Sequence, residues 1–109
     1  MEKIYNKLVR DKIADIIKSN GGEPVCRTLS EEEYKTELEK KLFEEYNEVL
    51  EATSENRIEE LADMLEILKA LAYLEGATLE DVIEVAEKKA QKRGAFEDKL
   101  YLEKVIERE

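Results

Sequence analysis

The sequence predicts an all-α protein, built as an antiparallel bundle of four to five helices. One proline and four glycines occur in 109 residues, and they fall between segments with a helical period of apolar residues. Two Ser/Thr-x-x-acid sequences, the pattern of a capping box, open long segments of this kind. The link between the two longest predicted helices is short, so we expect these helices to be antiparallel neighbours.

The first predicted helix is short. It lies in the stretch VRDKIADIIKSNGG, whose isoleucines share one face, and Gly21 and Gly22 end it. The stretch EPVCRTL that follows is expected to be an extended connector.

Two long helices are predicted in the middle of the chain. Ser30 and Glu33 form a capping box, which begins a helix that runs to about Thr53. Ser54 is expected to cap the next helix, ENRIEELADMLEILKALAYLE, which ends at Gly76.

The last part of the chain holds one more predicted helix and a tail. Thr78 is expected to cap the helix LEDVIEVAEKKAQKR, which Gly94 ends. The tail AFEDKLYLEKVIERE is either a short extended segment or a last helical turn that packs through Phe96, Leu100, Leu102 and Val105. No linker divides the chain, so residues 1–109 are expected to form a single domain.

Composition restricts the function. The chain has 18 basic and 28 acidic residues, a formal charge of −10, and such a surface disfavours binding of a nucleic acid polymer. With no histidine and one cysteine, Cys26, a thiolate zinc cluster is excluded, and only the metals that prefer oxygen ligands remain. No signal peptide or membrane span is recognisable, so a cytoplasmic location is expected. The core is modest for this length, so we expect a homodimer or homotetramer.

Acidic residues interrupt the apolar faces of both long helices. On the first, Glu45 falls on the face of Leu38, Leu42 and Val49, with Glu48 on its border, whereas Glu51 points away. On the second, Glu60 and Asp63 fall on or beside a broad apolar face made of Ile58, Leu61, Met64, Leu65, Ile67, Leu68, Leu71, Ala72 and Leu74.

A bound divalent cation would explain this placement. Across an antiparallel pair, Glu45 and Glu48 face Glu60 and Asp63, and four carboxylates in a partly dry cleft repel one another unless a cation neutralises them. A single acidic pair at this spacing is more often a solvated helix face. Two pairs on consecutive helices, both set against apolar residues, favour a metal site.

The acidic residues also belong to motifs that resemble those of a known protein family. EEYNE followed by ELAD resembles the E-E-x-x-E and E-x-x-D signature of the all-α nucleoside triphosphate pyrophosphohydrolases, the superfamily of MazG and phosphoribosyl-ATP pyrophosphohydrolase. The stretches YNKLVRDKIADII and KRGAFEDKLYLEKV resemble its small single-domain members, so the likeness touches nearly the whole chain. The sequence departs at Ala14, where members often have proline, and at Ala95, where they often have a second glycine.

The resemblance implies a Mg²⁺-dependent hydrolase, with Mn²⁺ as a substitute, that converts a nucleoside triphosphate or modified nucleotide to the monophosphate and pyrophosphate. It implies Glu45, Glu48, Glu60 and Asp63 as metal ligands, and Glu44 as an assisting acid and candidate general base. Glu44 and Glu45 are therefore the candidate catalytic residues. With no histidine available, a carboxylate is the natural group to orient the attacking water.

Residues near both ends are expected to bind the substrate: Asn6, Lys7, Arg10, Lys12, Lys92 and Arg93. Arg10 is the strongest candidate, because a guanidinium can hold a phosphate through two hydrogen bonds. For Lys92 and Arg93, complementing the helix dipole in a last turn is an equal explanation, and Asn6 is equally well a turn residue.

Two alternatives stay open. One is phosphoribosyl-ATP hydrolysis in histidine synthesis, which a substrate panel would distinguish. The other is a non-catalytic helical module that binds a nucleotide or a protein, which a titration with Mg²⁺ or Mn²⁺ would test.

Overall fold

The computed structural model describes residues 1–108, and the described chain contains four α-helices and no strand. This confirms the all-α class. The helices are α1 (Ile13–Ser19), α2 (Glu31–Glu51), α3 (Ser54–Leu74) and α4 (Leu79–Arg93). None of these helices is both long enough and apolar enough to cross a membrane.

The predicted capping box begins α2. Ser30 Oγ accepts a hydrogen bond from the Glu33 backbone N–H at 3.2 Å, and the Glu33 carboxylate accepts one from the Ser30 N–H at 3.5 Å. Arg27 Nη2 also lies 2.9 Å from Glu33 Oε2. Hydrogen bonds from Arg27 and from the Ser30 backbone lower the pKa of Glu33 below its ordinary value, since they favour the ionised carboxylate.

The start of α3 differs from the prediction. Thr53, not Ser54, is the N-cap residue, and its side chain makes no capping hydrogen bond. Only Ala52 and Thr53 separate the two long helices, and both adopt the extended backbone that a sharp reversal needs. Ser54 is thereby already the first helical residue, and α2 ends at Glu51, two residues before the predicted position.

The start of α4 follows the prediction. Thr78 Oγ1 accepts a hydrogen bond from the Asp81 N–H at 3.2 Å, and the Asp81 carboxylate accepts one from the Thr78 N–H at 2.9 Å. Gly94 follows the helix with φ at 82°, a left-handed conformation that glycine adopts without steric cost.

The core lies between α2 and α3, which pack as an antiparallel hairpin, as expected. Its buried apolar residues are Leu38 and Val49 from α2 and Ile67 and Ala72 from α3. Helix α4 packs less extensively on α3, and α1 packs closely on none of the other described helices. One chain therefore forms a hairpin with α4 attached, and not a closed bundle of all its helices.

The tail does not pack on the helices within one chain. Residues 100–108 have no regular secondary structure, so the alternative of a last helical turn is not observed there. The packing that this alternative implied is also not observed within one chain, because its four apolar residues are largely exposed: Phe96, Leu100, Leu102 and Val105. Part of the predicted apolar face of α3 also remains exposed, because none of the described helices covers it: Ile58, Leu61, Leu65 and Leu68.

Candidate metal centre

The hairpin brings three of the predicted ligands together. One carboxylate oxygen each from Glu45, Glu60 and Asp63 can be chosen so that all three lie within 4.8 Å of one another. Oxygen ligands lie roughly 2.0–2.6 Å from a bound Mg²⁺ or Ca²⁺, so two of them are separated by at most about 5 Å. These three oxygens are therefore close enough to share one cation.

Glu45 is the most constrained member of this group. Its Oε2 is buried and has no hydrogen-bond partner within the described chain. Burial is the main reason why its pKa is raised, and the nearby charges of Asp63, Glu60 and Glu48 raise it further. A buried carboxylate oxygen without a donor is costly. A cation beside Glu60 and Asp63 would supply the missing partner.

The pKa of Glu60 is raised for the same kinds of reason as that of Glu45. Burial raises the pKa of its carboxyl above the ordinary value, and the charges of Glu48, Asp63 and Glu59 add to the increase. Repulsion among neighbouring carboxylates disfavours their simultaneous ionisation. The arrangement therefore favours a positive charge at the position where the acids converge.

Glu48 is not part of the three-oxygen group. It is exposed, and it lines a shallow groove at the hairpin end, together with Glu51, Ala52, Thr53, Asn56 and Glu60. Its charge nevertheless acts on both Glu45 and Glu60. Glu51 is exposed, as expected, but it lies in the same groove.

Asn56 was missed by sequence reasoning. It follows the reversal between α2 and α3 and contributes an amide to the groove beside Glu60. Its place in the groove depends on how the chain reverses between α2 and α3, so the residue type of Asn56 did not indicate it. Glu44, in contrast, is exposed on α2 and lies outside the three-oxygen group.

Among the predicted substrate-binding residues, Arg10 is the one that forms an ion pair with the acids within residues 1–108. Its Nη2 donates a hydrogen bond to Asp63 Oδ1 at 2.8 Å, and both side chains are about half exposed. This contact was not predicted, since Arg10 was expected to meet a phosphate. It shows that the segment before α1 reaches the hairpin and places the Arg10 guanidinium beside Asp63.

The other candidate substrate-binding residues are exposed. Lys7 Nζ lies 5.7 Å from the centre of the Tyr5 ring, and Lys12 precedes α1 at its N-cap position. Asn6 adopts a left-handed backbone, with φ at 46°, as expected of a turn residue. Lys92 and Arg93 lie in the last turn of α4, and neither forms an ion pair with an acid in residues 1–108.

Comparisons with known proteins leave the family open. No family model and no solved structure matches the chain. An uncharacterized protein of Mycolicibacterium smegmatis is 49% identical over 43 residues, which are 39% of this chain. The match spans 44% of that relative, less than half its length.

Proposed function

We propose that this protein is a Mg²⁺-dependent nucleotide pyrophosphohydrolase that converts a nucleoside triphosphate, canonical or modified, to its monophosphate and pyrophosphate. One observation carries the proposal: Glu45 Oε2 is buried without a partner beside the carboxylates of Glu60 and Asp63. The motif resemblance of EEYNE and ELAD agrees with this choice. An acidic protein that binds a triphosphate needs a cation between its own negative charges and those of the phosphates.

The three converging carboxylates would hold the ion. Glu45 reaches it from α2, and Glu60 and Asp63 reach it from successive turns of α3. Bound there, Mg²⁺ would neutralise charge on the phosphate oxygens, which is the main requirement of phosphoryl-group chemistry. Mn²⁺ prefers the same oxygen ligands and is the expected substitute.

Glu48 is proposed as the fourth ligand. It follows Glu45 by one helical turn, so both side chains leave the same side of α2. Because its side chain is exposed, it is free to change rotamer toward the groove it shares with Glu60. Such a change needs no movement of the backbone.

Arg10 is proposed to exchange partners when a nucleotide binds. In the chain alone its guanidinium pairs with Asp63. When Asp63 binds a cation, that carboxylate no longer needs the guanidinium, and a phosphate is a comparable bidentate acceptor. Four further proposed substrate contacts are exposed and would add positive charge around the phosphates: Lys7, Lys12, Lys92 and Arg93. Asn6 is also exposed and would contribute a neutral amide.

Glu44 is proposed to orient the attacking water. It precedes Glu45 on α2 and is exposed, so it would lie outside the coordination of the ion. A carboxylate within reach of a water is sufficient for general-base assistance when no histidine is present.

The experiment is a hydrolysis screen with product identification. A panel of canonical and modified triphosphates, with phosphoribosyl-ATP included, is assayed with Mg²⁺ for release of pyrophosphate. We expect Glu45→Gln and Glu60→Gln to abolish that release and to keep the helix content. Glu66→Gln, an acid of α3 outside the groove, is the control and should retain activity.

Two results of the hydrolysis screen would contradict the proposal. One is release of orthophosphate instead of pyrophosphate from a triphosphate. The other is full activity in both Glu45→Gln and Glu60→Gln. If phosphoribosyl-ATP alone is hydrolysed, the substrate assignment changes while the chemistry remains. If calorimetry detects no metal binding even with a nucleotide present, the protein is a binding module and not this enzyme.

A further inference from the structure

One ion pair joins the N-terminal part of the chain to the helical hairpin. The residues before α1, 1–12, form no helix or strand, and they are here called the strap. Within residues 1–108, the contact between Arg10 and Asp63 is the one hydrogen bond that joins residues 1–22 to the rest of the chain. The other hydrogen bonds of residues 1–22, such as that from Ser19 Oγ to the Asp15 carbonyl, stay within this part.

Apolar burial adds little to this attachment. Helix α1 has seven residues, none of them buried, and it packs closely on none of the other described helices. Ile4 is 71% exposed, Tyr5 59% and Ile16 51%, while Leu8 and Ile13 are partly buried. Hydrophobic stabilisation is proportional to the apolar area removed from water, so these side chains contribute little. The position of the strap on the hairpin therefore depends mainly on the ion pair.

The strap is positively charged, unlike the protein as a whole. It has four basic and two acidic residues, in a chain whose formal charge is −10. Electrostatic attraction therefore favours its contact with the acids of the hairpin. Lys3, Lys7 and Lys12 form no ion pair with an acid within residues 1–108, so their charges are available to another anion.

Asp63 has two candidate cationic partners. Its carboxylate accepts the hydrogen bond from Arg10 at 2.8 Å, and one of its oxygens belongs to the group formed with Glu45 and Glu60. Ligand oxygens lie roughly 2.0–2.6 Å from Mg²⁺ or Ca²⁺, so a bound ion and the guanidinium would be only a few ångströms apart. Salt screens charges over roughly 8 Å, and the two cations would repel each other within that distance. A divalent cation would therefore weaken the contact that holds the strap.

We propose that the divalent cation controls where the strap is attached. Without metal, Arg10 holds the strap on Asp63, and metal binding releases it. The phosphates of a bound nucleotide then hold it again, because a guanidinium forms two hydrogen bonds with a phosphate and the strap lysines add charge. This inference rests on the metal site of the proposed function and adds a conformational change to it. The strap covers the substrate only when metal and phosphate are both bound.

Nuclear magnetic resonance of the full chain tests this change. Backbone order parameters are about 0.85 for rigid residues and below about 0.6 for flexible ones. We expect residues 8–12 to be rigid in EDTA, flexible in Mg²⁺, and rigid again when inorganic pyrophosphate is added together with Mg²⁺. In the same samples, shifts of the amide signals of Glu45, Glu60 and Asp63 report whether Mg²⁺ binds.

Two variants separate the Arg10 contact from other effects. Arg10→Gln removes the guanidinium and should leave the strap flexible already in EDTA, so that Mg²⁺ changes its order parameters no further. Arg27→Gln removes another exposed ion pair, that with Glu33, and should leave the response of the strap to Mg²⁺ unchanged. A strap that stays rigid in Arg10→Gln would overturn the proposal, because another contact would then hold it.

The wild-type spectra distinguish failure of this inference from failure of the proposed function. If Mg²⁺ shifts the amide signals of the three acids while the strap stays rigid, release of the strap is wrong and the metal site stands. If Mg²⁺ shifts none of these signals, both are wrong. A strap that remains flexible with Mg²⁺ and pyrophosphate together would also overturn the proposal, since the phosphates would not hold it.

Discussion

Arg10 Nη2 lies 2.8 Å from Asp63 Oδ1, and this ion pair joins two residues that are 53 positions apart in the sequence. It sets a fixed positive charge beside a group of carboxylates that repel one another. Glu45 and Glu60, the other members of that group, both have raised pKa values. Asp63 is therefore the acid for which the Arg10 guanidinium and the proposed metal ion would compete.

Replacing Arg10 should strengthen metal binding in the absence of nucleotide. Arg10→Gln removes the competing cation, and an exposed ion pair of this kind contributes about 0.2–1 kcal/mol. We expect a gain of roughly two- to five-fold in Mn²⁺ affinity, measured by calorimetry, together with weaker nucleotide binding. Arg27→Gln removes an equivalent pair with Glu33, distant along the chain from the acids, and should change neither affinity. An unchanged Mn²⁺ affinity in Arg10→Gln would argue against the competition.

Neutralising Glu45 should stabilise the protein when no metal is present. Glu45→Gln keeps the shape of the side chain and removes the buried charge that burial and Asp63 disfavour. We expect the thermal midpoint in EDTA to rise by a few degrees, and Mg²⁺ to stabilise the variant no further. Differential scanning calorimetry checks both effects, with Glu66→Gln as the control. A lower midpoint in EDTA would show that the ionised carboxylate has a partner.

The stability of the metal-free protein should decrease as the pH rises. Folding raises the pKa of Glu45 and of Glu60 above their ordinary value of 4.5. Their contribution is therefore fully present below the unfolded pKa, and it is lost as the pH rises through the folded pKa. Urea unfolding in EDTA between about pH 4 and 8 should show a smaller decrease for Glu45→Gln than for the wild type.

Metal affinity should have the opposite pH dependence, because the carboxylates must lose their protons to bind a cation. Mn²⁺ titration over the same range should show affinity that increases with pH. Affinity that is constant across this range would mean that Glu45 and Glu60 are not among the ligands.

The two helix starts of the hairpin should respond differently to the loss of a hydroxyl. Ser30→Ala removes the side chain that accepts a hydrogen bond from the Glu33 N–H, and the loss of such a cap costs about 0.5–2 kcal/mol. Thr53→Ala removes a side chain with no capping bond, so we expect a smaller cost. Urea unfolding followed at 222 nm compares the two variants. Equal losses of stability would contradict the observed difference in capping.

The unequal success of these sequence predictions follows from the range of the interactions. Ser30 and Thr78 were identified as caps because a capping box involves residues only three positions apart. At the start of α3 the prediction chose Ser54, although the neighbouring Thr53 is the N-cap residue. The reversal of the chain decides between these two residues. A short link also made the antiparallel hairpin predictable, and with it the approach of Glu45 to Glu60 and Asp63.

The sequence by itself determined the helices, their faces and the acids set against apolar residues, because backbone hydrogen bonding and helical period act over a few residues. Only the tertiary structure decided that Arg10 pairs with Asp63, that Glu48 lies outside the three-oxygen group, and that Glu45 Oε2 lacks a donor. It also left the apolar residues of the tail, and Ile58, Leu61, Leu65 and Leu68 of α3, exposed within one chain. Those outcomes depend on how separate segments meet in space, which no local pattern encodes.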